Sequence, residues 1–220
     1  MKKHFLFLLL AMIGISLQSI AQKIDLKNVK FIIVTTDGVN MREAPNIKSA
    51  KLMMVSLDGA DGCDGRATPT WNAKKTKGYS LSAANPMKGV VLPVIGETDE
   101  WYHAIYWDFG CGNFYVYINK QFCKEVTMEK WDYDGSYDTI KSGTHKGWVI
   151  IDNSDPENGD ELIAGHLVNG MMVFDYSCTN PWGVDKENLS TAQFKEHFKK
   201  RNPALVQCRV NGNTTSFNME

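Results

Sequence analysis

The chain has no polybasic block, and its formal net charge is −1 over 220 residues. Electrostatic recognition of nucleic acid or of an anionic membrane surface therefore has no basis in its composition. It has no CxxC and no Cys/His cluster at zinc spacing. Its five histidines (His4, His103, His145, His166 and His197) form no HxH or HExxH pattern. We expect no metal centre and no cofactor. Low-complexity tracts and clear internal repeats are lacking too. Beyond residue 22 no apolar stretch is long enough to cross a bilayer.

What is present is legible first at the N-terminus. Met1-Lys2-Lys3-His4 is a basic head, and Phe5 to Leu17 is an apolar run broken only by Gly14 and Ser16. Ser19-Ile20-Ala21 then places small residues three and one before a cut. Residues 1–21 read as a secretory signal peptide, with cleavage after Ala21 and Gln22 as the first mature residue. No cysteine stands at the cut, so the lipoprotein route is closed. The expected location is periplasmic or extracellular. The apolar fraction of 43% and charged fraction of 22% suit a globular chain.

Export permits disulfides. The five cysteines (Cys63, Cys111, Cys123, Cys178 and Cys208) are odd in number, so at least one stays free or pairs with another chain. Cys111 and Cys123 flank one strand-like segment and are the candidate staple; five buried thiols are the alternative.

Strand signals dominate the pattern. Phe31 to Val34 is a β-branched run that stops at the turn dipeptide Asp37-Gly38. Lys51 to Leu57, Val90 to Ile95, Trp101 to Trp107 and Phe114 to Ile118 follow as strand candidates. Residues 58–89 are dense in Gly, Asp, Pro and Lys without periodicity, and read as a long irregular insertion. The segment after Cys123 is charged and ambiguous. Further on, Trp148 to Ile151 reads as a strand, and Asn169-Gly170 between two apolar runs signals a hairpin of type I′. The single convincing helix follows. Ser190 and Gln193 form a candidate capping box, Leu189 and Phe194 a candidate staple, and Asn202-Pro203 the expected stop. Leu205 to Val210 is the last strand candidate, with a turn at Asn211-Gly212-Asn213.

Val39-Asn40-Met41-Arg42-Glu43-Ala44-Pro45 after Gly38 resembles the opening motif of bacterial SH3 (SH3b) domains. Lys51-Leu52-Met53 sits where that family has its next hydrophobic strand. Val91 to Glu97 is similar to the strand before its diverging turn, Asp99 to Ala104 to its Trp-Tyr strand, and Tyr115-Val116-Tyr117 to its closing strand. The match runs over residues 30–126 with the motifs in order. It departs from the family in the insertion at 58–89 and in Phe114, which stands where a Gly usually precedes the closing aromatic. The resemblance implies a small β-barrel that binds peptides or cell-wall peptide bridges. Residues 127–220 lie outside it. The expected fold is mainly β: an SH3-like small barrel at 30–126, then a β-rich domain at 127–220 with one late helix.

No catalytic constellation accompanies these strands. Cys178 with His166 or His197 is the nearest to a nucleophile and base, yet Pro181 and Gly183 break any helix that would activate the thiol. Asp58, Asp61 and Asp64 around glycines lack EF-hand spacing and read as a solvated turn. The aromatic band from Trp101 to Tyr117 is the most informative feature. In a barrel, strand alternation puts Trp101 inside and leaves Tyr102, Tyr106 or Trp107 exposed. Tyr102, Tyr106, Trp107 and Tyr117 are therefore the candidate ligand-binding residues, with packing of all of them into a core as the competing reading. The expectation is an exported, non-catalytic binding module for a peptide or peptidoglycan-derived ligand in the cell envelope. The alternatives are a wall peptidase with its site around His166, Asp175 and Cys178, and a docking or inhibitory partner of another envelope protein.

Overall fold

The computed structural model describes residues 24–57, 68–71, 73–74, 79–108, 111–133, 135–153 and 160–219. The expected signal peptide and the aspartate-rich turn at 58–64 lie outside them.

The first half contains β1 (Lys30–Val34), β2 (Leu52–Leu57), β3 (Thr68–Trp71), β4 (Tyr79–Ala83), β5 (Val91–Glu97), β6 (Trp101–Asp108), β7 (Gly112–Asn119) and β8 (Cys123–Val126). The second half contains β9 (Met128–Glu129), β10 (Asp138–Thr139), β11 (Val149–Asp152), β12 (Leu162–Val168), β13 (Met171–Cys178), α1 (Thr191–His197), β14 (Lys199–Val210) and β15 (Asn213–Met219). The fold is mainly β with one late helix, as the turn signals and short apolar runs imply.

Five strands form an antiparallel sheet in the order β7-β6-β5-β1-β8. The sheet curls into a half-barrel because its inner face is one apolar stripe. Ile32, Val34, Leu92, Val94, Tyr102, Ala104, Val116 and Ile118 converge with Val39, Met41 and Leu52 in a single buried cluster. Arg42 bridges the open side. Its backbone exchanges hydrogen bonds with Tyr117 at 2.9 and 2.7 Å, and Leu52 N–H donates to the Met41 carbonyl at 2.9 Å. The short extended piece at 41–42 thus links β7 to β2.

The expected irregular insertion is corrected in part. β3 and β4 lie within it, and both pair with β2 in a three-stranded sheet of order β3-β2-β4. β3 is only four residues long and carries Pro69, and the alternation of β4 (Tyr79, Leu81 and Ala83 against Ser80 and Ser82) is only five residues long. Pro69 is tolerated because β3 is an edge strand and its missing N–H leaves no ladder bond unmade.

The other large sheet runs β10-β11-β12-β13-β14-β15, with β9 paired to β14. Its hairpins have the expected chemistry. Asn169 (φ 49°) and Gly170 (φ 81°) join β12 to β13, and Asn211 (φ 51°) and Gly212 (φ 75°) join β14 to β15. The Ser190–Gln193 capping box is formed in both directions, and Leu189 packs beside Phe194 in one buried cluster.

The helix stop is corrected. α1 ends at His197, and β14 begins at Lys199, ahead of Asn202-Pro203. Phe194 and Phe198 are buried and stack at 4.7 Å. Pairing of Lys199 with Ser177 and of Lys200 with Tyr176 then draws the chain into the ladder with β13. Tertiary pairing outweighs the helical pattern here.

The two halves share a core. Phe31, Val91 and Ile105 on the outer face of the half-barrel sheet pack with Val173, Val206, Cys208, Val210 and Phe217 of the second sheet. β15 completes this layer, and Phe217 is fully buried.

The expected Cys111–Cys123 staple is not formed. Cys111 is disulfide-bonded, whereas Cys123, Cys178 and Cys208 are free thiols. Cys123 instead lines the half-barrel core. Burial pushes its thiol up to about 12.

Candidate functional site

The four predicted aromatic residues do not meet on one surface. β6 and β7 pair residue for residue, so Tyr102 and Tyr106 face the half-barrel interior, while Trp107 and Tyr117 face the other way. Tyr102 is only 7% exposed, which corrects the expectation that it points outward. Its hydroxyl donates to Glu125 Oε1 at 3.2 Å, and the Lys120 ammonium lies 5.0 Å from its ring centre. Burial, then the bond to Glu125, raises its pKa. Tyr106 is half-buried, and burial raises its pKa as well. Tyr117 stacks on His103 at 4.4 Å and 6°. Trp107 packs at the junction of the two large sheets. Tyr106 and Trp107 share only a cleft of about 260 Å³, lined also by Pro93, Ile105 and Thr214 to Ser216.

The structure does not bring His166 and Cys178 together as base and nucleophile. His166 sits opposite Val173, and Cys178 opposite Leu162. Four residues of strand separate these positions, roughly 13 Å. The thiol is buried among Ile140, Leu162 and Phe198. His166 is instead 3.7 Å from Asp175 Oδ1 and stacks on Trp148 at 4.5 Å. Asp175 stands at the register shift of both ladders that β13 makes. A bulge re-aims a side chain in this way. Lys200 Nζ donates to its Oδ2.

A wide opening lies on the other face of the second sheet. A groove of about 680 Å³ takes Thr139 from β10, Val149 from β11, Leu167 from β12, Met172 from β13, Arg209 from β14 and Glu129 from β9. One residue from each successive strand means that it runs across the strands. Neighbouring strands are about 4.8 Å apart, so the five strands from β10 to β14 span roughly 19 Å. That length accommodates about five or six residues of extended chain.

The segment between β9 and β10 forms one wall. Trp131 and Tyr133 stack at 6.0 Å and 4°, with Tyr137 tilted against Trp131 at 5.9 Å. Trp131 is buried beneath, among Val149, Met172, Phe174 and Leu205. Tyr137 (45%) and Leu167 (55%) are among the most exposed large apolar side chains described. The indole N–H of Trp131 has no hydrogen-bond partner among the described residues, and nor does the buried Oε1 of Gln207. Gln207 lies between Leu205 and Arg209 on the same face, opposite Met172. The groove therefore has an apolar aromatic middle and a charged end of Glu129, Lys130, Asp132 and Arg209. Sequence reasoning passed over this wall because charges interleave its aromatics. The spacing of Trp131, Tyr133 and Tyr137 was the available signal.

Among the described residues there is no group of three His, Cys, Asp or Glu side chains placed to hold a metal ion. None of the helices described is long and apolar enough to cross a membrane. Comparison with known proteins finds no matching family model, no matching curated protein and no matching solved structure.

Proposed function

We propose that this chain is an exported, non-catalytic binding protein of the cell envelope, and that it holds an extended peptide, stem peptides of peptidoglycan included, in the groove across its second sheet. The groove itself carries the reading. It is open, about 680 Å³ in volume, and walled by aromatic side chains beside exposed Leu167. Binding sites for extended chains combine apolar anchors with a few polar groups in this way. The separation of His166 from the buried Cys178 thiol along the β12–β13 ladder supports binding over hydrolysis. The SH3b resemblance of residues 30–126 points to the same ligand class, and the inward stripe of Val39, Met41 and Leu52 is what a small barrel of that kind requires.

Titration of the mature chain with soluble stem peptides and with intact peptidoglycan, read by tryptophan fluorescence, tests the proposal. A saturable change that Tyr137→Ala weakens by about ten-fold, the value of one good apolar anchor, is the expected result. Tyr137 is half-exposed, so the substitution leaves the core intact. Silence with both ligands, together with co-purification of a stoichiometric envelope protein, would overturn the peptide reading in favour of a docking role.

A further inference from the structure

The charged end of the groove is built differently from the close ion pairs at Glu97. Lys30 and Lys120 meet Glu97 at 3.0 and 2.7 Å, within hydrogen-bond distance. Arg209 does not engage its neighbours so closely. Its Nε lies 3.5 Å from Glu129 Oε2, and its Nη1 lies 4.0 Å from Asp132 Oδ2. Glu129 is held elsewhere, since its Oε1 accepts from the Gly212 backbone N–H at 3.0 Å. Asp132 is 76% exposed and so only loosely placed. A guanidinium carries five donors in a rigid fork, and no described residue accepts a hydrogen bond from this one. It lines the groove at the β14 end.

We infer that Arg209 is the anchor for a carboxylate of the bound chain, so that the groove reads the C-terminal end of an extended peptide. The inference rests on the peptide reading above and deepens it. Lys130 and Arg209 are balanced by Glu129 and Asp132, so the net charge of this end is zero and long-range attraction contributes little. Selection acts at contact range. A ligand carboxylate offers the bidentate fork-to-fork geometry that Asp132 does not reach, and such pairs are the strong class of charge-assisted hydrogen bond. With the carboxylate at Arg209, the preceding residues pass over Met172 and Leu167 towards Tyr137.

The test compares mixed-sequence N-acetyl hexapeptides as free acids and as C-terminal carboxamides on the intact mature chain, by fluorescence titration. The free acid should bind about ten-fold or more tightly, the range of a hydrogen-bonded charge pair. Arg209→Gln should remove that preference, so that acid and amide bind alike, and Arg209→Lys should restore only part of it. The acid–amide comparison needs no variant, so it stands if Arg209→Gln fails to fold. Equal affinity for acid and amide would overturn this inference and leave the peptide groove standing. Binding of neither form would overturn both.

Discussion

Asp175 and Lys200 form an ion pair across the bulge of β13, with the carboxylate buried and the ammonium at the surface. Asp175 is the buried charged residue of the described chain. Its side chain is 12% exposed against 65% for Lys200. Lys200 Nζ also sits 4.7 Å from the centre of the Tyr176 ring. The other oxygen of Asp175 accepts no hydrogen bond among the described residues. Removing the ammonium strands a buried charge, whereas neutralising the carboxylate removes the charge itself. Lys200→Met should therefore cost about 2 kcal/mol and Asp175→Asn less. Urea unfolding of the two variants gives the order, and the reverse order would show that Lys200 does not compensate Asp175.

Gly165 opposes the same bulge. A Cβ there would lie 2.6 Å from Phe174 Cδ1 and 2.8 Å from the Val173 carbonyl oxygen. Backbone cannot yield as a flexible side-chain end can. Gly165→Ala should destabilise by about 1–3 kcal/mol through overpacking. A thermal melt unchanged from the parent would show that the two strands separate at little cost.

Acid should weaken the fold in two stages. Burial pulls the pKa of His103 below its usual value of 6.5. Burial, then repulsion from Lys195, does the same for His145. A histidine with a lowered pKa in the fold binds its proton more readily when unfolded. Its contribution is thus present above about pH 6.5 and is lost as the pH falls from there to the folded value. Glu97, hydrogen-bonded by Lys120 and Lys30, is lowered from 4.5 to about 2, so its contribution is lost only across that lower window. His103→Phe keeps a ring against Tyr117 and should shrink the first stage to the part that His145 contributes, without moving the second. Stability measured from pH 8 to 2 separates them.

Cysteine chemistry offers a further check. Cys208, like Cys123, is pushed up to about 12 by burial, and Cys178 is buried. A thiolate is the reactive species, so none of the three should be alkylated in the native protein. All three should react once it is denatured. A non-reducing peptide map that linked Cys111 to Cys123 would contradict the arrangement described.

Local chemistry made much of this molecule readable in the sequence. Asn169-Gly170 and Asn211-Gly212 specify tight hairpins because few other residues take two successive positive φ angles. Ser190 and Gln193 specify the helix start because they satisfy the backbone donors left free there. Alternation in β6 and β7 specifies two faces. It does not say which face meets solvent, because that depends on what covers the sheet. Tyr102 turned inward and Trp107 met the second sheet for that reason. β3 and β4 were hidden because runs of four and five residues become strands when a partner strand is beside them.

The sequence by itself determined the turns, the helix cap, the strand alternation and the mainly β class, since each depends on residues a few positions apart. Only the tertiary structure decided the groove. Thr139, Val149, Leu167, Met172 and Arg209 are spread over 71 positions of the chain, and no local pattern joins them. They share a face because antiparallel pairing aligns one residue from each strand, a relation set by register across the sheet rather than by order along the chain.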